Sequence, residues 1–144
     1  MNPTITNFGY PDSLIREYEH WVLLLRPAQV TLGSLILAAK SDATAYSQLP
    51  SEAFVEQGIV IKAIELGLAE FCGFEKINYL MLMMVDREVH FHVIPRYEGA
   101  RSFDGREFPD RGWPKLPDLG SAIEPTLAEA ARIRERLMII FANL

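Results

Sequence analysis

The chain has 144 residues, of which 49% are hydrophobic and 23% charged. That fits one folded domain, here taken as residues 1–144, and excludes a disordered chain. A net charge of −5 excludes broad binding to a nucleic acid polymer, which needs a basic stripe, but leaves room for a small phosphorylated ligand held by a few local donors.

The N-terminal ten residues lack a basic stretch followed by an apolar run. No secretory signal is expected, and a cytoplasmic location is the default. No segment approaches the ~20 apolar residues of a bilayer span. Residues 7–13, with Gly9 and Pro11, read as a lead-in loop. A short β-rich stretch follows at Leu14 to Tyr18. Trp21 to Leu25 and Leu35 to Ala39 are short continuous apolar runs bounded by charge, proline or glycine. They read as two buried antiparallel neighbours. The sequence contains three histidines. The first, His20, reads as a strand-edge surface residue.

Ser51 reads as the N-cap of a helix running to Cys72, with Glu52 in the first turn and Gly73 as C-cap. Its apolar residues spread nearly all round the wheel, so it should be covered on two sides, by a sheet and by a second copy of the chain. The single cysteine, Cys72, excludes an internal disulfide and a cysteine zinc cluster and reads as a core thiol. Ile77 to Val85 reads as a strand whose methionines belong to the core, and Asp86-Arg87 as a short turn. Glu88 to Arg96 then alternates, with Glu88, His90 and His92 on one face and Val89, Phe91 and Val93 on the other. Residues 97–121 are rich in Gly, Pro and Asp and read as a long loop, with Trp113 as its packing anchor. Pro125 starts a last helix ending near Phe141. These elements predict an α+β domain with an antiparallel sheet of about five strands and two main helices.

The chemistry concentrates at His90 and His92, which share a strand face about 7 Å apart. Glu88-Val89-His90-Phe91-His92-Val93-Ile94-Pro95-Arg96 resembles the motif of the histidine triad (HIT) family, with Glu88 in the place of the first histidine. Leu32 to Lys40 is similar to that family's Pro-Gly-His-apolar-Pro-Lys segment, with Ser34 where many members have histidine. Together the likeness spans roughly residues 14–96. It implies a HIT-like fold and a nucleotide phosphoanhydride or phosphoramidate hydrolase or transferase, like the dinucleoside polyphosphate hydrolases. It also implies His90 as nucleophile, attacking the α-phosphorus to give a nucleotidyl-histidine, and His92 as a neighbouring donor. Glu88 would orient His90, and phosphate contacts would come from Ser34, Arg87, Arg96 and Arg101. No cofactor is required, beyond a divalent metal that could accompany the substrate. Two other readings stay open. Glu88, His90 and His92 could ligate a metal, or the chain could bind nucleotides with little turnover.

Overall fold

A computed structural model describes residues 1–144. Its centre is a five-stranded, wholly antiparallel sheet in the order β1-β2-β3-β5-β4: β1 (Leu14–Glu17), β2 (Trp21–Leu25), β3 (Leu35–Ala39), β4 (Lys76–Leu80) and β5 (His90–Arg96). Every residue of β2, β3 and β5 is buried. The unbroken apolar runs of β2 and β3 have a simple cause: both faces of the sheet are covered.

One face carries Trp21, Leu23, Leu25, Leu35, Leu37, Phe91 and Val93 into the main core. That core is closed by α2 (Ser51–Cys72) and α3 (Leu127–Ala142). The Trp21 indole donates to the Ala53 carbonyl at 2.8 Å and so fixes α2 on the sheet. Gly67 lets the helices approach, because a Cβ there would lie 2.7 Å from the Phe141 ring. Cys72 is a buried core thiol, pushed up to about 12 first of all by burial. The other face carries Val22, Leu24, Ile36 and Ala38 beneath Ile5 and Phe8. These last two belong to a short N-terminal helix, α1 (Pro3–Asn7), and the residue after it. The loop expected over residues 7–13 is present as turns over residues 8–13, but α1 before it was not expected. Its N-cap Asn2 accepts from the Ile5 amide and donates to the carbonyls of Ala39 and Ser41, which staples the helix over the sheet.

Four local expectations are corrected. β4 stops at Leu80, so the connection to β5 is not a two-residue turn at Asp86-Arg87 but a loop over residues 81–89. Its apolar residues divide: Val89 is in the main core and Met81 packs against it, but Leu82, Met84 and Val85 are exposed. The segment is drawn to α1 instead, by the Thr4 hydroxyl on the Glu88 carboxylate and by Asn7 on Asp86. Residues 97–121 are not structureless, since β6 (Ala100–Phe103) and β7 (Arg106–Pro109) pair as a hairpin. At the helix starts, Pro50 stands at the N-cap of α2 and makes no side-chain bond, while α3 begins after Thr126. Thr126 and Glu129 form a reciprocal capping box there, stronger than the Pro125 start expected.

Candidate active site

The sheet register builds the site. His90 lies opposite Ala38, and His92 opposite Ile36 on one side and Leu80 on the other. Paired residues project from the same face, so both histidines stand on the face covered by α1. Their rings are 5.2 Å apart between centroids.

The two imidazoles are held in complementary states. His90 Nδ1 lies 2.8 Å from the Glu88 carbonyl oxygen. A carbonyl only accepts, so Nδ1 carries the proton and Nε2 of the neutral ring is left with a lone pair. That Nε2 is buried and has no hydrogen-bond partner. In His92 the arrangement is reversed. Arg26 Nε donates to His92 Nδ1 at 3.2 Å, which leaves the proton on Nε2. Burial first, then the charges of Arg26 and His90, lowers the His92 pKa to about 4. One ring therefore offers a lone pair and the other an N–H donor.

This depressed value has a measurable consequence. Between about 4 and the ordinary 6.5 the unfolded chain binds a proton at His92 that the folded chain does not. The contribution of the neutral ring is full above pH 6.5 and is lost as the pH falls to about 4, at about 3 kcal/mol in all. Urea unfolding at pH 7 and pH 4.5 should show wild type losing more stability than His92→Gln. Identical pH dependence in the two proteins would remove this account of the His92–Arg26 pair.

Phe8 closes the site from above. Its ring centroid lies 5.5 Å from that of His90 and 5.7 Å from that of His92. His90 is wholly buried beneath it.

The other residues singled out in the sequence divide. Glu88 is not on the strand, and its carboxylate faces Thr4 rather than His90, with its pKa lowered chiefly by the Thr4 hydroxyl. Its backbone carbonyl, not its side chain, meets His90. Glu88, His90 and His92 do not converge as metal ligands, and no group of three His, Cys, Asp or Glu side chains does so anywhere in the chain. Arg87 is exposed on the same loop and makes no ion pair.

Three of the expected phosphate contacts are engaged elsewhere. The Ser34 hydroxyl donates to the Thr31 carbonyl and accepts from the Thr31 amide, closing the loop before β3. Arg96 is buried and grips Asp110 with Nε and Nη2, at 2.7 and 3.2 Å, while Nη1 donates to Asn78. Arg101 donates to the Cys72 and Gly73 carbonyls at the end of α2 and lies over the Tyr97 ring. His20 lies away from the pair, beside Glu19 and the start of α2. Sequence reading missed Arg26 and Phe8. Arg26 looked like the charged boundary of an apolar run, and only the strand register places it next to His92.

No protein-family model matches the chain, and no curated protein matches it by sequence. Solved structures match over nearly its whole length. A histidine triad protein from Sinorhizobium meliloti is 23% identical, with a TM-score of 0.74 over 96% of this chain and 94% of its own. A hypothetical histidine triad nucleotide-binding protein from Sulfolobus tokodaii is 19% identical, with a TM-score of 0.70 over 98% of this chain and 91% of its own. The diadenosine triphosphate hydrolase of Plasmodium falciparum is 9% identical, with a TM-score of 0.61 over 92% of this chain and 76% of its own. The chain has the fold of histidine triad proteins, an α+β fold with a five-stranded antiparallel sheet and three helices. No helix is long and apolar enough to cross a membrane.

Proposed function

We propose that this protein hydrolyses or transfers at a nucleoside phosphoanhydride or phosphoramidate, through a nucleotidyl-histidine on His90. The observation that carries the reading is the unpartnered Nε2 lone pair of His90, fixed by the Glu88 carbonyl beside a histidine held as an N–H donor. In the first step Nε2 attacks the α-phosphorus. A P–N bond forms, the bond to the leaving group breaks, and the leaving group takes the electron pair. The imidazole becomes cationic, and the Glu88 carbonyl accepting from Nδ1 stabilises that charge. His92 Nε2–H donates to a phosphoryl oxygen, with the Arg26 guanidinium behind it. Water then attacks the phosphorus, the P–N bond breaks with its electron pair returning to Nε2, and the proton that the water gives up goes to the departed leaving group through solvent, so the nucleotide is released and the neutral ring restored.

Attack requires the Phe8 ring to move off His90, because Nε2 has no open side as the chain stands. The same cover supports a second reading, a nucleotide-binding protein with little turnover. A panel of dinucleoside polyphosphates and nucleoside phosphoramidates separates the two. Turnover together with a nucleotide-mass adduct on the His90 peptide after acid-free quenching is the result expected, while binding with neither turnover nor adduct selects the second reading. No resident cofactor is invoked, and a divalent cation enters only as the counter-ion of a polyphosphate substrate.

The reading includes a homodimer. On α2, Val55, Ile59 and Leu66 are exposed and lie on one outward stripe, while Leu68 is fully buried in the protein's own core and Ile61 is half-buried. A second copy on this stripe would cover the patch. Light scattering should give twice the chain mass at micromolar concentration, and Ile59→Lys should shift it to the monomer. A monomeric wild type removes the proposal.

A further inference from the structure

Arg26, the first residue after β2, brings a guanidinium to the histidine pair and takes part in no ion pair. We infer that Arg26 is a positioning residue that denies the site a general acid, and that the reaction is thereby limited to leaving groups that depart as stable anions. Phosphates, carboxylates and acidic phenols are such groups. Amines and alkoxides must gain a proton as they leave and are not. The inference rests on the nucleotidyl-transfer reading of His90.

The guanidinium is pinned at two nitrogens. Nη1 donates to the Ala28 carbonyl at 2.6 Å, and Nε donates to His92 Nδ1 at 3.2 Å. The second bond occupies the one lone pair of the neutral ring. To become an acid, His92 would first have to take a proton at Nδ1, where it would meet an N–H that cannot accept it. A cationic ring would also stand against the guanidinium charge, out of water. His92 is therefore a donor without a proton to release. A neutral imidazole N–H stabilises a phosphoryl oxygen but does not protonate a leaving one.

The surroundings of His92 do not reverse this. Its register partners Ile36 and Leu80 and the ring of Phe8 are uncharged. His90 adds to the effect of Arg26, and Asp86, on the 81–89 loop, opposes it. Burial is the largest influence, and the balance of all four leaves the His92 pKa at about 4. The other proton-bearing groups are turned elsewhere. The Glu88 carboxylate accepts from Thr4, the Ser34 hydroxyl donates to the Thr31 carbonyl, and the His90 Nδ1 proton is held by the Glu88 carbonyl. When the bond from phosphorus to the leaving group breaks, the electron pair and the charge both stay on the departing atom.

Two esters of one nucleoside 5′-monophosphate test this, one with p-nitrophenol and one with phenol. The leaving groups are close in size and differ in acidity. A general acid is worth roughly 10²–10⁴-fold, so wild type at pH 6 should favour the p-nitrophenyl ester by about 100-fold or more in kcat/KM. Arg26→Glu replaces the donor at Nδ1 with an acceptor. The ring then carries a proton on each nitrogen, gives the Nε2 proton to the leaving oxygen and returns to neutral. This variant should be slower with the p-nitrophenyl ester, having lost a cation, while its preference shrinks about tenfold or more. Arg26→Lys keeps a cationic donor at Nδ1 and should keep the wild-type preference. A wild type that cleaves both esters at similar rates, or one preference shared by all three proteins, overturns the inference. The state of His92 is read apart from activity, by nitrogen-15 NMR of the ring. Wild type should show a single proton, at Nε2, from pH 5.5 to pH 8. A wild-type ring protonated at Nδ1 anywhere in that range overturns the inference even where a variant fails to fold. If no nucleotidyl-histidine forms on His90, the transfer reading falls and takes the leaving-group rule with it, while the spectrum still shows whether Arg26 sets the state of His92.

Discussion

His90→Ala is expected to abolish turnover, by about 10⁴-fold or more, and to eliminate the nucleotide adduct on the protein. No other side chain of the site has an unpartnered ring nitrogen: the His92 lone pair is occupied by Arg26. The variant has a structural cost as well, because His90 is wholly buried under Phe8 and its Nδ1 satisfies the Glu88 carbonyl. Removing the ring opens a void and leaves that carbonyl without its donor, worth about 1–3 kcal/mol. A paired variant separates the two effects. In His90→Asn the side-chain amide can still donate to the Glu88 carbonyl, so stability should recover in part while turnover stays lost. Rapid quench with intact-protein mass spectrometry reads the adduct, and urea unfolding reads the stability. Turnover by either variant at the wild-type rate would show that His90 is not the nucleophile.

His92→Ala should be milder, removing a donor worth roughly 3–4 kcal/mol of transition-state stabilisation at most. Glu88 carries a different expectation from the one its place in the motif suggested. The orienting group is the main-chain carbonyl, which any residue at position 88 supplies. Glu88 in place of a histidine at position 88 therefore takes nothing from the orientation of His90. What the carboxylate adds is a bond to Thr4, and so a hold on α1.

This explains how much of the site the sequence could disclose. The apolar runs of β2 and β3, the long α2 and the alternation along β5 are each set by a local periodicity, and each appears where the residues put it. The shared face of His90 and His92 follows from that alternation alone. Arg26, Phe8 and the 81–89 loop follow from contacts between residues 66 or more positions apart, such as Arg26 with His92 and Thr4 with Glu88. No window on the chain carries that information. The apolar run Ile77 to Val85 looked like one strand because hydrophobicity there is continuous, yet β4 ends at Leu80 and the pull of α1 on Asp86 and Glu88 leaves Met84 and Val85 in solvent. The partner of Arg96 was equally out of local reach, since Asp110 lies fourteen residues on.

Arg96→Ala should therefore appear as a loss of stability, about 3–5 kcal/mol, rather than as a loss of substrate binding. The Asp110 side chain is fully buried and Arg96 nearly so, and the pair is bidentate. Asp110 also accepts from the amides of Tyr97 and Gly112, which ties β5 to the chain that leaves β7. Removing the guanidinium leaves a carboxylate out of water with only amide donors, and frees the Asn78 carbonyl oxygen from its partner. Arg96→Met/Asp110→Leu removes both charges and should recover most of the loss, because the cost of the single variant is chiefly the charge left behind. A double-mutant cycle by urea unfolding gives the coupling, and kcat/KM measured per folded molecule shows what substrate binding owes to Arg96. If Arg96→Ala unfolds within about 1 kcal/mol of wild type and kcat/KM collapses, Arg96 is a phosphate ligand and Asp110 merely its resting partner.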